Sequence, residues 1–267
     1  MAVQAFRKEV VLATKLHLNT EEIAAKRLEN VVREHLTASL GRLQTDYADL
    51  YYLHRVNPDI PIEEVSEVMG KLIREGLIRG WGLSQVDVDV ISRANAVTPL
   101  SAVQNIYSML ERGIEKEVIP YCVDHQIGVV PFSPIASGFL SGKVTAATDF
   151  SHSDDVRKYV PQLRKENMAA NQPVLDLLTR YAEGRNATKV QIALSWMLHK
   201  YPGVVPIPGS KNQERILENL GAWNVNLTKD EFAALEAALE QIPVHGHRGF
   251  VEQQGSGMRN WNRKSEA

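Results

Sequence analysis

The sequence predicts a parallel α/β fold closed into a barrel. Short apolar runs typical of strands alternate with amphipathic segments typical of helices almost to the end of the chain. Repeated strand–helix units with right-handed crossovers give a parallel sheet, either doubly wound or closed. The first strand is followed by Lys15-Leu16-His17 and not by the glycine fingerprint of a doubly wound dinucleotide-binding fold. A length of 267 residues also suits one barrel domain of about 250 residues, so we predict a single domain over residues 1–267.

The N-terminal half carries three strand–helix units. Leu28, Val31, Val32 and Leu36 have the spacing of one helix face. The predicted elements are strand Val10–Thr14, helix Arg27–Leu43, strand Asp49–Leu53, the helix from Pro61 to a stop at Gly76, strand Ile78–Leu83, and a short helix opened by the capping box Ser84–Asp87 and ending near Ala96.

The C-terminal half brings the total to about six strands. A capping box over Thr228–Glu231 predicts the start of the last helix. The predicted elements are strand Leu100–Gln104, helix Ile114–His125, strand Ile127–Phe132, helices Pro173–Glu183 and Thr188–His199, strand Val204–Ile207, helix Gln213–Ala222 and a helix that reaches Ile242. The stretch Lys143–Ala170 exceeds a normal connection, which indicates a functional loop or mobile cover, and residues 243–267 read as an irregular tail.

Composition excludes several functional classes. A net charge of −2 gives no broad basic face for nucleic acid, and no apolar stretch is long enough to span a membrane. The single cysteine, Cys122, excludes an intrachain disulfide and suits a reducing compartment; its apolar surroundings predict a buried, inert thiol. No signal-peptide pattern precedes the first strand. We expect a soluble cytoplasmic protein, with homo-oligomerisation left open.

Lys15 and His54 are the first candidates for chemistry. Each comes directly after an apolar strand-like run. In parallel α/β folds the carboxyl ends of the strands carry the reactive groups, so the two side chains can share one rim. Taken singly, Lys15 is more often an exposed lysine at a strand end, and His54 is more often a hydrogen-bonded structural histidine.

Two later loops have the composition of an anion site. Phe132–Leu140 contains serines and a glycine at a predicted helix start, and Ile207–Arg215 adds Lys211 and Arg215. Backbone amides at a helix start, together with cations, attract phosphate groups. The competing interpretation is that Gly209 and Ser210 merely cap the helix that follows them, Gln213–Ala222, and that the cations are solvated.

Six strings in register resemble those of aldo-keto reductases. They are Val11–Lys15, Leu50–His54, Gly80–Ser84, Val103–Ser108, Phe132–Pro134, and Ile207–Ser210 with Glu218–Asn219. The resemblance implies an eight-stranded TIM-type (β/α)8 barrel that binds NADPH in an extended pose, and a small aldehyde or ketone as substrate.

The resemblance also assigns roles to residues. Lys15 and His54 correspond to the family's catalytic lysine and histidine. The cofactor-binding positions are Ser84 and Gln104 at the nicotinamide carboxamide, Phe132 on the nicotinamide ring, Ser133, Ile135 and Ser137 at the pyrophosphate, Ser210, Lys211 and Arg215 at the adenosine 2′-phosphate, and Glu218 and Asn219 near the adenine. The two cations favour NADPH over NADH. Gln85 stands where the family often has asparagine.

One part of the family pattern is not found. The family's aspartate and tyrosine lie upstream of the lysine, and the fourteen residues before Lys15 do not form that motif. The expectation is a barrel that lacks its first two β/α units, with about six remaining. Loss of the general acid costs about 10²–10⁴-fold in rate. Tyr52 is expected to lie too deep in the sheet to replace it.

Three functions follow for the structure to test. The first is an NADPH-dependent carbonyl reductase that is weak or inactive as this chain. The second is a catalytically silent nucleotide-binding or regulatory protein on the same scaffold. The third, an unrelated barrel acting on sugar phosphates with Lys15 as Schiff-base nucleophile, would make the matching strings an accident.

Overall fold

The structure is a computed structural model that describes residues 3–151, 155–201 and 203–249. Contacts within the chain divide it into two compact units. Among the described residues, the first unit comprises residues 3–105 and 117–128, and the second comprises residues 106–116 and those from 129 onward. The single domain expected from chain length therefore stays a prediction.

A parallel sheet forms the centre of the first unit. Its strands are neighbours in chain order: β1 (Ala13–Leu16), β2 (Ala48–Leu53), β3 (Ile78–Ser84) and β4 (Ala102–Gln104). Lys15 lies opposite Tyr52, and Ser84 lies opposite Gln104. Strand β1 starts later than predicted, so Lys15 lies within the strand and not beyond its end. The predicted strand at 49–53 is confirmed, and His54 follows it directly.

Five helices cover the sheet of the first unit. They are α1 (Thr20–Lys26), α2 (Leu28–Leu43), α3 (Ile62–Arg74), α4 (Val88–Val97) and α5 (Val118–Asp124). Helix α1 was not predicted; the Asn19 side chain caps it by accepting from the backbone of Glu21 and Glu22. The capping box predicted at Ser84 is wrong, because Ser84 ends β3 and Asp87 caps α4 by accepting from Val90.

Aromatic side chains fill the core of the first unit. Trp81, Tyr51 and Tyr52 are almost fully buried, and the Trp81 indole donates to the Thr98 carbonyl over 3.2 Å. Cys122 is buried as predicted, and burial raises the pKa of its thiol to about 12. The predicted helix over 114–125 is interrupted, since a 3₁₀ turn at Gly113–Glu115 precedes α5.

Proline limits strand formation in the chain that follows β4. Strand β5 spans only Gly128–Val129, and Val129 forms a single parallel bridge with Val204. The strands predicted over 127–132 and 204–207 are therefore much shorter than expected. Pro131, Pro206 and Pro208 have no N–H to continue a ladder.

The helices of the second unit agree closely with the sequence pattern, except for α6, which lies in the stretch predicted as a loop. They are α6 (Lys165–Ala170), α7 (Gln172–Glu183), α8 (Lys189–Lys200), α9 (Gln213–Leu220) and α10 (Lys229–Glu240). The capping box predicted at Thr228 is confirmed, and Thr188 forms another before α8. The long loop predicted over residues 143–170 contains 3₁₀ turns and ends in α6. Residues 152–154 of this loop and residues 250–267 of the predicted tail lie outside the described residues. Residues 243–249 contain no helix or strand.

A mostly buried ion network stabilises the second unit. Arg112 and Lys200 each contact both Glu115 and Glu236, with Lys200 Nζ 2.9 Å and 2.7 Å from their carboxylate oxygens. The Tyr107 hydroxyl also donates to Glu115 over 2.7 Å. Burial alone would raise the pKa of Glu115, but hydrogen bonds from Arg112, Tyr107 and Lys200 outweigh it and lower that pKa.

Glu115→Gln is expected to lower the free energy of unfolding by about 1–2 kcal/mol at pH 7. A carboxylate whose pKa is lowered by folding contributes stability above its unfolded pKa of about 4.3, and loses it as pH falls through the folded value. The difference between wild type and variant should therefore hold from pH 7 to about 4.3 and shrink below it. Urea unfolding at a series of pH values measures this, with the exposed Glu240→Gln as the control expected to show no such difference. A difference independent of pH would contradict the assignment.

Among the described residues, no helix is both long and apolar enough to cross a bilayer. In the same part of the chain, no cluster of three or more histidine, cysteine, aspartate or glutamate side chains could hold a metal ion.

Candidate functional site

A cluster of basic side chains lies at the carboxyl ends of β1 and β2 in the first unit. We call Lys15, His17, His54 and Arg55 the basic rim cluster. The His54 backbone N–H donates to the Leu16 carbonyl over 2.9 Å, which fixes the end of β2 beside β1. His54 Nδ1 lies 2.6 Å from His17 Nε2. The two imidazoles therefore share one hydrogen bond, and at least one of them is neutral.

The electrostatics of the basic rim cluster disfavour further positive charge. Burial, followed by the positive charge of Arg55, lowers the pKa of Lys15. Burial, followed by the charges of Arg55, His17 and Lys15, lowers the pKa of His54 to about 4. His54 is therefore a neutral imidazole near pH 7, which can donate a hydrogen bond without carrying a charge.

Arg55→Met is expected to raise the pKa of His54 above 4. Among the neighbouring charges, that of Arg55 has the largest effect against protonation of His54, and the substitution removes it. Burial remains, so the pKa should stay below the ordinary value of about 6.5. NMR titration of the imidazole nitrogens measures the shift. The matched control is Arg79→Met, which removes an arginine that pairs with Asp49 over 3.0 Å. An unchanged His54 titration in Arg55→Met would contradict the stated cause.

Tyr52 lies below the basic rim cluster. Its ring centroid is 5.8 Å from Lys15 Nζ, and the residue is almost fully buried. Burial raises the pKa of Tyr52 to about 12, against the opposing effect of a hydrogen bond with Gln104. Tyr52 is therefore a weaker acid than an ordinary tyrosine, and its depth agrees with the sequence prediction.

The second unit contains a cavity of about 530 Å³. It is lined by three loops, the start of α8 and residues of α9, together with Arg248 near the end of the described chain. The lining residues are Ser133, Pro134, Ile135, Ser137, Gly138, Ser141, Lys143, Val144, Thr148, Arg157, Val190, Gly209, Ser210, Arg215, Glu218, Asn219 and Arg248. Four cations and one carboxylate line it, so its field favours an anion.

The serine loop of this cavity has an unusual backbone. Ser133, Ala136 and Ser137 all adopt left-handed φ values, between 49° and 56°, and Gly138 follows at 98°. Each non-glycine residue in this region costs about 1–2 kcal/mol, so the surroundings must hold the loop in place. Turns in which a left-handed residue follows one with negative φ, as Ala136 follows Ile135, form concave backbone surfaces that bind anions.

The cations of the cavity differ in their partners. Lys143 Nζ lies 3.7 Å from Glu218, and Arg157 pairs with Asp155 over 2.6 Å. Arg248 instead donates from Nε to the Ser133 hydroxyl over 3.1 Å. The backbone N–H of Arg215 donates to the Asn212 side chain, which caps α9.

Comparison with known proteins identifies the family. The model of the aldo/keto reductase family matches residues 2–240. The chain belongs to the aldo/keto reductase family. It is thus a member of a family of oxidoreductases. A "Probable aldo-keto reductase 1" from Glycine max is 34% identical over 241 residues, which are 89% of this chain and 68% of the relative.

Solved aldo-keto reductases share the fold. The enzyme from Klebsiella pneumoniae in complex with NADP and acetate is 29% identical and superposes with a TM-score of 0.68, covering 92% of this chain and 76% of that one. A second structure from the same organism, in complex with NADPH, is 28% identical with a TM-score of 0.67, covering 92% and 75%. These similarities and the parallel sheet support the TIM-barrel-like fold of aldo-keto reductases that the sequence predicts.

In this aldo/keto reductase, the site residues expected from sequence fall into two groups. Lys15, His54, Ser84 and Gln104 lie at the strand ends of the first unit, where Ser84 Oγ accepts from Arg55 over 3.1 Å. Seven of the others line the cavity of the second unit: Ser133, Ile135, Ser137, Ser210, Arg215, Glu218 and Asn219. Their roles in binding stay predictions.

Two predicted residues lie outside the cavity lining. Phe132 precedes the serine loop and bridges to Ile106, and the exposed Lys211 sits in the turn before α9. The competing interpretation of Ser210 as a helix cap is wrong in detail. Asn212 caps α9, and the Ser210 hydroxyl accepts from the Asn212 backbone over 3.1 Å.

Several candidate residues had no assigned role at the level of sequence. His17 could have been found by the two-residue spacing of a strand, which places it on the same side as Lys15. Arg55 follows His54 directly. Lys143, Arg157 and Arg248 enter the cavity from segments without periodicity, where sequence carries no signal of position.

Proposed function

We propose that this protein is an NADPH-dependent carbonyl reductase, with NADPH held by the cavity of the second unit. The observation that carries the proposal is the combination of a strained serine loop with an excess of cations in one cavity. Hydroxyls, backbone amides and guanidinium groups are the donors that phosphate groups prefer. The Klebsiella relatives bind NADP or NADPH, which supports the same choice of cofactor.

The residues of the cavity divide among the parts of the cofactor. Ser133, Ile135 and Ser137 serve the pyrophosphate, and Ser210 and Arg215 serve the adenosine 2′-phosphate. Lys211 is exposed at the start of the same turn, so it adds attraction to that phosphate. These cations attract the 2′-phosphate of NADPH. NADH has no 2′-phosphate, so NADPH is the favoured cofactor.

The remaining binding positions complete the proposed site. Within the second unit, Glu218 and Asn219 serve the adenine and Phe132 packs on the nicotinamide ring. In the first unit, Ser84 and Gln104 are the positions that the family resemblance assigns to the carboxamide.

Hydride transfer to a small aldehyde or ketone is the proposed reaction. NADPH supplies the hydride when it is bound. The Lys15 amine and the neutral imidazole of His54 act on the carbonyl oxygen, where negative charge develops as the carbon is reduced. Preorganised donors at that oxygen lower the barrier because they favour the transition state over the ground state.

The proposed turnover is slow. The oxygen requires a proton, and neither the imidazole nor the phenol near it supplies one readily: His54 is already neutral, and Tyr52 has a pKa of about 12 in a buried position. The proton must therefore come from the Lys15 ammonium, whose pKa burial lowers, or from water. The same observation favours a second candidate function, a nucleotide-binding protein without turnover. The two functions share the cavity and differ only in the chemical step.

Fluorescence of the reduced nicotinamide, followed during titration with the protein, tests binding. Single-turnover reduction of an aromatic aldehyde with deuterium at C4 of NADPH tests transfer, because the label must appear in the alcohol. Binding with labelled product supports the reductase. Binding without product overturns the reductase and leaves the nucleotide-binding function. Absence of NADPH binding overturns both.

A further inference from the structure

The segment His245–Arg248, which we call the tail strap, brings an arginine to the cavity of the second unit. Arg248 lines the cavity and donates from Nε to the Ser133 hydroxyl over 3.1 Å. The two residues are 115 positions apart in sequence. Ser133 is the first left-handed residue of the serine loop, so the tail strap meets the most constrained part of the cavity wall.

Buried amides hold the tail strap in place. Asn171 forms two hydrogen bonds of 2.8 Å with the backbone of His245, one through its oxygen and one through its nitrogen. The Gln162 backbone N–H donates to the His247 carbonyl over 3.0 Å. Asn171 and Gln162 are both fully buried, so freeing the tail strap would leave the Asn171 side chain and the Gln162 backbone N–H without these partners.

Gly246 is a point at which the tail strap packs closely against the rest of the second unit. Its φ is +72°, and an added Cβ would lie 2.7 Å from Asn167 Nδ2 and 3.0 Å from the Gln162 backbone nitrogen. A side chain at this position is therefore excluded both by backbone conformation and by space.

The charge of Arg248 is not matched by the carboxylate beside it. Glu111 Oε1 accepts both from the backbone N–H of Arg248 and from the Gln162 side chain, and among the described residues no ion pair joins the Arg248 guanidinium to a carboxylate. Burial lowers the pKa of Arg248, and Glu111 opposes this only through its more distant charge. A partly desolvated guanidinium with a serine hydroxyl beside it is a site for an incoming anion.

We propose that Arg248 is a phosphate-binding residue, and that its guanidinium and the Ser133 hydroxyl together hold the pyrophosphate of the bound dinucleotide. This inference rests on the proposed function. The pyrophosphate is favoured over the 2′-phosphate because Arg248 contacts the serine loop, whereas Ser210 and Arg215 belong to the loop before α9 and its first turn. The tail strap then acts as a fixed arm that presents one charge to the cofactor.

The test compares Arg248→Met with Arg180→Met, which removes an exposed arginine of α7 outside the cavity lining. Nicotinamide fluorescence gives the Kd for NADPH and for NADH, and calorimetry gives the Kd for 2′-AMP, which has no pyrophosphate. Arg248→Met should weaken NADPH and NADH by about tenfold or more, as expected for a charge-assisted contact. Its affinity for 2′-AMP should match wild type, and Arg180→Met should match wild type throughout.

A second variant separates charge from position. Gly246→Ala keeps the guanidinium but disturbs the seat of the tail strap, so it should also weaken NADPH, while urea unfolding shows that both variants remain folded. If the wild type binds NADPH and Arg248→Met binds it with the same Kd, the role of Arg248 is overturned and the proposed function stands. If Arg248→Met loses as much affinity for 2′-AMP as for NADPH, the role in pyrophosphate binding is overturned. If the variant weakens the binding of acetate and of no nucleotide, that role is also overturned, and Arg248 is assigned to a substrate carboxylate. Wild type that fails to bind NADPH overturns the proposed function as well.

Discussion

Lys15→Met is expected to lower single-turnover hydride transfer by about 100-fold while the Kd for NADPH stays at the wild-type value. Lys15 lies within β1 opposite Tyr52, at the strand ends of the first unit, and no residue of the proposed phosphate cavity belongs to that unit. Methionine keeps an unbranched, apolar side chain that is one atom shorter than that of lysine, and it removes the amine. The loss should therefore fall on the chemical step.

The matched control for this substitution is Lys8→Met, which removes an exposed lysine of the same unit. Stopped-flow oxidation of NADPH in the presence of an aromatic aldehyde measures the rate for each protein. Equal rates in wild type and Lys15→Met would remove Lys15 from the reaction. A loss of NADPH binding in the same variant would instead show that the amine contributes to the cofactor site.

The sequence predicts the elements of this fold better than their ends. Strand β2 agrees within one residue of its predicted bounds because a buried strand is a continuous apolar run. Strand β1 is displaced toward the C terminus, since Val11 is 73% exposed and the backbone N–H of Leu12 donates to the Asp49 side chain and not to a strand carbonyl. Helix α1 escaped prediction because seven residues give too short a pattern for periodicity to show.

The sequence predicts which residues lie together best where one loop supplies several of them. Ser133, Ile135 and Ser137 line the cavity together because a single strained turn presents all three. Contacts between distant segments carry no local pattern, and this is why the bond between Arg248 and Ser133 could not be predicted. The hydrogen bond between His17 and His54 could be predicted only in part. Strand alternation places His17 on the same side as Lys15, but the register of β1 with β2 decides that His54 is its partner.

Gly82→Ala is expected to lower the free energy of unfolding by about 3 kcal/mol, the upper end of the range for an overpacked core. Gly82 lies in β3 opposite Tyr52, and an added Cβ would lie 2.4 Å from the Ala102 carbonyl oxygen and 2.5 Å from the Tyr52 ring. Neither neighbour can move freely, because one is sheet backbone and the other is a buried aromatic ring. Urea unfolding followed by far-UV circular dichroism measures the change.

Gly41→Ala is the control with the same chemical change and the opposite expected sign. Gly41 lies in α2, nothing lies within 4 Å of an added Cβ, and alanine in a helix is favoured over glycine by about 0.5–1 kcal/mol. Equal effects of the two substitutions would show that space at Gly82 does not limit the sheet. The expected contrast links packing to function, because the ring that excludes a side chain at Gly82 also lies below the Lys15 amine. Any shift of Tyr52 in a surviving Gly82→Ala variant should therefore change the environment of Lys15 as well.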